Sequence, residues 1–123
     1  MNTAPAPAAL AACPDAPRCV STMTQRPEQR MAPIRYKGSA QAAQERLRGI
    51  IKDLPRATIK IDTPGYLSVE VRSRFMGFID DVEFLFDSEY PLIHFRSGAR
   101  VGYYDFGVNR SRMESITRAF QGL

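Results

Sequence analysis

A chain of 123 residues that is 44% hydrophobic and 24% charged has ordinary globular proportions and room for one packed domain. Its 17 basic and 13 acidic residues leave a net charge of +4, but there is no dense Lys/Arg run and no familiar nucleic-acid motif, so nucleic-acid binding is not expected. No stretch approaches the ~20 apolar residues of a membrane-spanning helix, so no transmembrane segment is expected either.

Residues 1–38 hold six of the nine prolines and little periodicity. They predict an extended amino-terminal arm and leave residues 39–123 as a single folded domain. Leu10-Ala11-Ala12-Cys13 fits the pattern that precedes a lipid-modified cysteine. Neither a basic start nor an apolar run of ~7–15 residues precedes it, so the fit reads as chance. Without a recognisable leader the expected compartment is the cytoplasm. The only two cysteines, Cys13 and Cys19, stand in CPDAPRC. A disulfide loop suits the spacing and the two turn-forming prolines, in an oxidising compartment. Half of a metal site is the weakest alternative, because a closed site needs about four ligands and the only histidine is His94. Free thiols remain the third reading.

Ser39 to Leu54 predicts the first helix. Ala43, Leu47, Ile50, Ile51 and Leu54 form its apolar stripe, Ser39 is the cap, and Pro55 stops it. Gln44, Glu45, Arg48 and Lys52 lie off the stripe and read as solvated. Ala57 to Asp62 predicts a strand with Ile59 and Ile61 inward, turned by Thr63-Pro64-Gly65. Tyr66 to Phe86 predicts a hairpin. With Met76-Gly77 as its turn, Val71 faces Val82, Val69 faces Phe84 and Leu67 faces Phe86. A fourth strand from Leu92 places Phe86 opposite Ile93, Phe84 opposite Phe95 and Glu83 opposite Arg96. The last helix is expected over about Arg110 to Gln121, on a stripe of Met113, Ile116, Thr117 and Phe120. Asn109 is its expected cap, with Ser111 and Glu114 as an alternative capping box. The predicted fold is α+β: a two-layer sandwich of a four-stranded antiparallel meander with both helices on one face, in the order αββββα, and the arm laid over it.

Two places offer functional residues. The open face of the sheet presents Arg72, Asp81, Glu83 and Arg96, with Arg72 expected opposite Asp81 and Arg96 opposite Glu83. The plain reading is a solvated lattice of pairs worth ~0.2–1 kcal/mol each. The functional reading is a recognition surface for a partner protein or an acidic ligand. The second place is the end of the sheet where the hairpin turns. Asp80 shares the parity of Val82 and Phe84, so it should point to the helix side opposite Ser73, where a carboxylate needs a partner. Partners are concentrated in SGARVGYYDFGVNRSR, which brings Arg100, Asp105, Asn109, Arg110 and Arg112 into one connection. One reading is a clamp in which Asp80 and Asp105 hold an arginine or cap the helix. The other is a pocket for a small anion, with Arg74, Arg100 and the helix amino terminus as donors.

Catalysis has less support. Asp80 and Asp81 are adjacent on a strand and point to opposite faces, so they cannot act as a pair. His94 has only turn serines for company. No nucleophile elbow, phosphate loop or metal signature is present, and no cofactor is expected.

CPDAPRCVST, YLSVEVRSRFMGFIDDVEFLFD and SGARVGYYDFGVNRSRMESI, in this order, resemble domain-of-unknown-function family 1499 of bacteria and plastid-bearing organisms. The resemblance covers nearly the whole chain after the first dozen residues. Many members have asparagine where this chain has Arg18. Some carry a membrane segment or export signal ahead of the domain, which implies an envelope association as the alternative to the cytoplasm. The resemblance implies that the two cysteines and the Asp80/Arg100/Asp105/Asn109 constellation belong together as family features. It implies no activity. The leading expectation is a non-enzymatic binding or interaction module; the alternative is a small enzyme or carrier that binds an anionic small molecule at the Asp80/Arg100/Asp105 cluster.

Overall fold

The computed structural model describes residues 5–74 and 77–122. In chain order the elements are β1 (Cys19–Ser21), a 3-10 turn (Pro27–Gln29), β2 (Ile34–Arg35), α1 (Ala40–Lys52), β3 (Ala57–Thr63), β4 (Tyr66–Arg72), β5 (Ile79–Phe86), β6 (Leu92–Ala99) and α2 (Val108–Gln121). All six strands belong to one antiparallel sheet in the order β1-β6-β5-β4-β3, with β2 also paired to β6. The expected meander is β3 to β6. The expectation of four strands is too small, because the arm supplies β1 and β2. Both are too short to show an alternation. They cover the outer edge of β6, whose backbone groups would otherwise lack partners.

Both helices pack on one face of the sheet. Leu47 and Ile51 of α1 and Met113, Ile116 and Phe120 of α2 share one apolar cluster with Val69, Val82, Phe84 and Phe95 of the sheet. Ser39 caps α1, its hydroxyl accepting from the Ala42 N–H. The β5–β6 register is the expected one, with Glu83 opposite Arg96, Phe84 opposite Phe95 and Phe86 opposite Ile93.

Three local expectations are corrected. The β4–β5 register is displaced by two residues: Val69 faces Val82 and Val71 faces Asp80. The Ser73 N–H donates to the Phe78 carbonyl at 2.6 Å, and the Phe78 N–H donates to the Ser73 hydroxyl at 2.9 Å, which closes a loop longer than two residues. Met76, half of the expected turn, lies outside the described residues. A slip of two keeps every side chain on its face, so the core survives the error. The second correction is a bulge in β3. Ile59 faces Val69 as expected, but the pairing then shifts, and Ile61 faces Ser68 rather than Leu67. Asp62 is thereby turned towards α1.

Gln44 and Arg48, expected in solvent, receive that turned strand. Arg48 holds Asp62 through two hydrogen bonds. Gln44 is buried, accepts from the Gly65 N–H at 2.8 Å and donates to the Thr63 carbonyl at 2.9 Å. The third correction concerns α2, which begins at Val108, two residues before the expected start. Asn109 lies inside the helix and is fully buried, so it is not the cap.

Candidate functional site

Asp80 points to the helix side, as its parity requires, and only 8% of it is exposed. Its partner is Arg112 of α2, whose Nη2 donates to Asp80 Oδ2 at 2.8 Å. Arg112 Nη1 donates to Asn109 Oδ1 at 2.7 Å and to Ser97 Oγ at 3.2 Å. The Ser97 hydroxyl donates to the same Asn109 oxygen at 2.7 Å. Asn109 Nδ2 donates to Asp105 Oδ2 at 2.9 Å, and the Gly107 and Asn109 N–H groups donate to the Asp105 carboxylate. Asp105 therefore caps α2, and the network joins Asp80, Arg112, Asn109 and Asp105 in one connected path. The clamp arrangement is present, with Arg112 as the arginine.

Arg100 is not part of it. Its guanidinium lies on the opposite face, donating to Asp81 at 2.6 Å and to Glu70 at 2.9 Å. Glu70 and Asp81 face each other across β4 and β5, and Arg100 removes their repulsion. The hydrogen bond to Asp81, then that to Glu70, pushes the Arg100 pKa further up. The grouping of Asp80, Arg100 and Asp105 is thus corrected. Val71 and Ala99 flank Asp80, not Ser73. Arg100 follows β6 after the strand's alternation has ended, which is why parity could not place it.

The remaining expected residues scatter over the open face. Arg72 faces Ile79, not Asp81, because of the two-residue displacement, and donates to the Gly77 carbonyl. Arg96 faces Glu83 as expected. Glu83, however, is held by the Tyr66 hydroxyl at 2.8 Å and by the Ala11 N–H at 3.1 Å. The arm therefore crosses this face. Burial, followed by the hydrogen bond to Glu83, pushes the Tyr66 phenol pKa up. Arg74 is exposed at the start of the loop between β4 and β5.

Cys13 and Cys19 form a disulfide with their Cα atoms 5.7 Å apart. Cys19 pairs with Gly98 across β1 and β6, and a Cβ on Gly98 would meet Cys19 Sγ at 2.8 Å. The disulfide loop is tied to the segment before α2, where the Asp105 N–H donates to the Pro17 carbonyl at 3.0 Å. Between them lies a cleft of about 400 Å³, whose walls include Asp15, Pro17, Glu28, Tyr103, Tyr104 and Arg110. Beside the cleft, Val101, Tyr103, Tyr104, Phe106 and Val108 are each about half exposed or more, with Phe106 at 83%. The Tyr104 and Phe106 rings meet edge to face at 4.7 Å. Reading that connection for its charged and polar residues alone misses this cluster. The signal was there: five large apolar residues in eight positions with no helical or strand period.

His94 has a partner the sequence did not offer. Its Nδ1 lies 3.1 Å from Thr22 Oγ1 and its Nε2 lies 3.1 Å from Asp87 Oδ2. The three form a hydroxyl–imidazole–carboxylate line. The Thr22 oxygen also accepts the Phe95 N–H at 3.1 Å, so it ties the arm to β6 and is poorly placed to attack a substrate. The N–H groups of Glu89 and Tyr90, and then His94, hold the Asp87 carboxyl below its ordinary range. Among the described residues, no group of three or more His, Cys, Asp or Glu side chains is arranged to hold a metal ion. No helix among them is long and apolar enough to cross a membrane.

Residues 9–120 match the model of a family described as "protein of unknown function (DUF1499)", and the chain belongs to that family. No curated protein and no solved structure matches the chain at the significance required of a relative.

Proposed function

We propose that this member of the DUF1499 family is a non-enzymatic binding module. It takes a segment of a partner protein at the end of the sheet where the disulfide loop meets residues 101–108. The observation that carries this reading is the exposure of Val101, Tyr103, Tyr104 and Phe106 on one short loop, and of Val108 at the start of α2 beside them. A cluster of exposed large apolar side chains is costly in water unless something covers it. Tyrosine is also among the residue types that dominate binding energy at protein interfaces.

The loop has a rigid base, and this supports recognition over non-specific stickiness. Asp105 and Asn109 fix its carboxyl end to α2, while the Asp105 N–H fixes it to the disulfide loop. A surface held in shape loses little ordering entropy when a partner binds. The adjoining cleft of about 400 Å³ has the size for one or two anchoring side chains of the partner. The formed disulfide supports an oxidising compartment for the mature domain.

The test is chemical cross-linking in the protein's own source. The wild-type chain is compared with a Tyr103→Ser, Tyr104→Ser, Phe106→Ser variant and with an Arg72→Ala, Arg96→Ala variant. The cross-linked partner is then purified and titrated back. Loss of saturable binding in the loop variant, with retention in the arginine variant, is expected. Equal binding by the loop variant would remove the reading.

A further inference from the structure

A second concave surface lies at the other end of β6, where β2 and the loop before β6 face the carboxyl end of α2. It is a groove of about 1,100 Å³, wider than a typical small-molecule pocket. Its walls include Arg35, Lys37 and Arg46, the rings of Tyr36, Tyr90 and Phe120, and no aspartate or glutamate among the described residues. No ion pair engages any of the three cations among the described residues. Elsewhere on the molecule, by contrast, Arg48, Arg100 and Arg112 are each neutralised by a carboxylate.

The spacing of the cations is regular. Ile34 and Arg35 pair with Ile93 and Leu92 of β6, and the Tyr36 N–H continues the pairing by donating to the Pro91 carbonyl at 3.1 Å. The chain is therefore extended through this stretch. Ile34 is fully buried, and Tyr36 turns inward to pack on the Phe86 ring with centroids 5.6 Å apart. Arg35 and Lys37, the alternate positions, are both exposed and line the groove. Their Cα atoms are ~7 Å apart, the repeat of side chains on one face of any extended chain. Arg46 stands on the α1 wall with its guanidinium 5.3 Å over the Phe120 ring. Gln121 Nε2 donates to the Arg35 carbonyl at 3.4 Å, tying the end of α2 to β2.

We infer that this groove binds an extended acidic segment of a partner protein, with carboxylates at alternate positions. Two carboxylates two residues apart meet Arg35 and Lys37 in register, and Arg46 donates to a third carboxylate from across the groove. An intervening apolar side chain rests on Tyr90, which is 62% exposed. Arginine suits a carboxylate because its planar fork can donate two parallel hydrogen bonds. This inference does not depend on the loop of residues 101–108.

The probe is a fluorescein-labelled peptide of about eight residues alternating glutamate and valine, followed by fluorescence anisotropy. Saturable binding to the wild-type chain is expected, and the Arg35→Glu, Lys37→Glu double variant should weaken it by about tenfold or more. Lys52→Glu, half that change of charge at the exposed end of α1, should leave it nearly unchanged. A peptide of the same composition with its glutamates in one block should bind more weakly, because it cannot match the alternate spacing. Absence of saturable binding, equal binding of the block peptide, or equal weakening by Lys52→Glu would each overturn the inference. Co-sedimentation with phosphatidylglycerol vesicles separates the main rival: vesicle binding that needs Arg35 and Lys37 and that the peptide does not displace would also overturn it.

Discussion

At the scale of single residues, Asp80 and Asp81 make the sharpest contrast. They are neighbours in sequence and chemically identical, yet strand parity sends them to opposite faces. Asp80 pairs with Arg112 where the two side chains are only 12% and 13% exposed. Asp81 pairs with Arg100, whose side chain is 45% exposed. Removing one partner of a buried pair leaves an uncompensated charge and costs ~3–5 kcal/mol. An exposed pair of this kind is worth ~0.2–1 kcal/mol. Asp80→Ala should therefore lower stability several times more than Asp81→Ala in urea melts at neutral pH. Equal small losses would show that the buried network contributes little.

Much of this contrast is legible in the sequence. An aspartate in an inward position demands a partner, and the demand was correctly located in the segment leading to α2. The choice of arginine was not legible. Arg100, Arg110 and Arg112 are all close in sequence to that end of the sheet. Only the start of α2 at Val108 decides which of them reaches Asp80. Ser97 was legible in principle, since it shares the parity of Ile93 and Phe95 and is fully buried. Arg18 was not: it lies in the arm, and its side chain donates to the Ala99 carbonyl through tertiary structure alone.

At the scale of elements, the bulge in β3 organises the contact with α1. Without the bulge, Asp62 would face solvent and Ile61 the core. With it, Arg48 and Gln44 gain a carboxylate to hold. The hydrogen bond from Arg48 is the largest cause that lowers the Asp62 pKa below its ordinary value. A folded-state pKa below the unfolded one gives stability that is present above the unfolded value, ~3.9, and is lost as pH falls through the folded one. The stability difference between wild type and Asp62→Asn should therefore be constant from neutral pH down to about pH 5 and should shrink below about pH 4. Urea melts across that range check it. A difference that stays constant down to pH 2 would mean that Asp62 acts through shape alone.

Hairpin registers show the same division. Alternation fixed which residues face the core, so Leu67, Val69, Val82 and Phe84 are all buried as expected. Alternation cannot distinguish registers that differ by two residues, since both keep the faces. Loop length decides between them, and the β4–β5 loop carries no two-residue turn signal strong enough to fix it. The β5–β6 register came out right because Asp87 and Pro91 bound that turn closely.

At the scale of the whole molecule, the arm is a working part of the sheet. β1 and β2 close the outer edge of β6, and the segment ahead of them crosses the open face to reach Glu83. Short strands of two and three residues carry no period, so composition alone reads residues 19–35 as part of an extended arm. The disulfide closes a sequence separation of 6 residues. A cross-link of that length is worth ~2 kcal/mol in the chain-entropy account. Its reduction should raise hydrogen exchange in residues 14–21 and in the 101–108 loop tied to them, while α1 and β4 keep their protection. Uniform acceleration across the molecule would mean that the disulfide holds the fold rather than the loop.

Recognition of a partner protein by residues 101–108 can be read on the intact chain. Native mass spectrometry of the chain purified from its own source tests it most directly, with denaturing spectra of the same sample and of the Tyr103→Ser, Tyr104→Ser, Phe106→Ser variant alongside. The account predicts a second polypeptide mass on the wild-type chain that is lost on denaturation and absent from the variant. A bare chain, or a small-molecule adduct that wild type and variant hold equally, would contradict it.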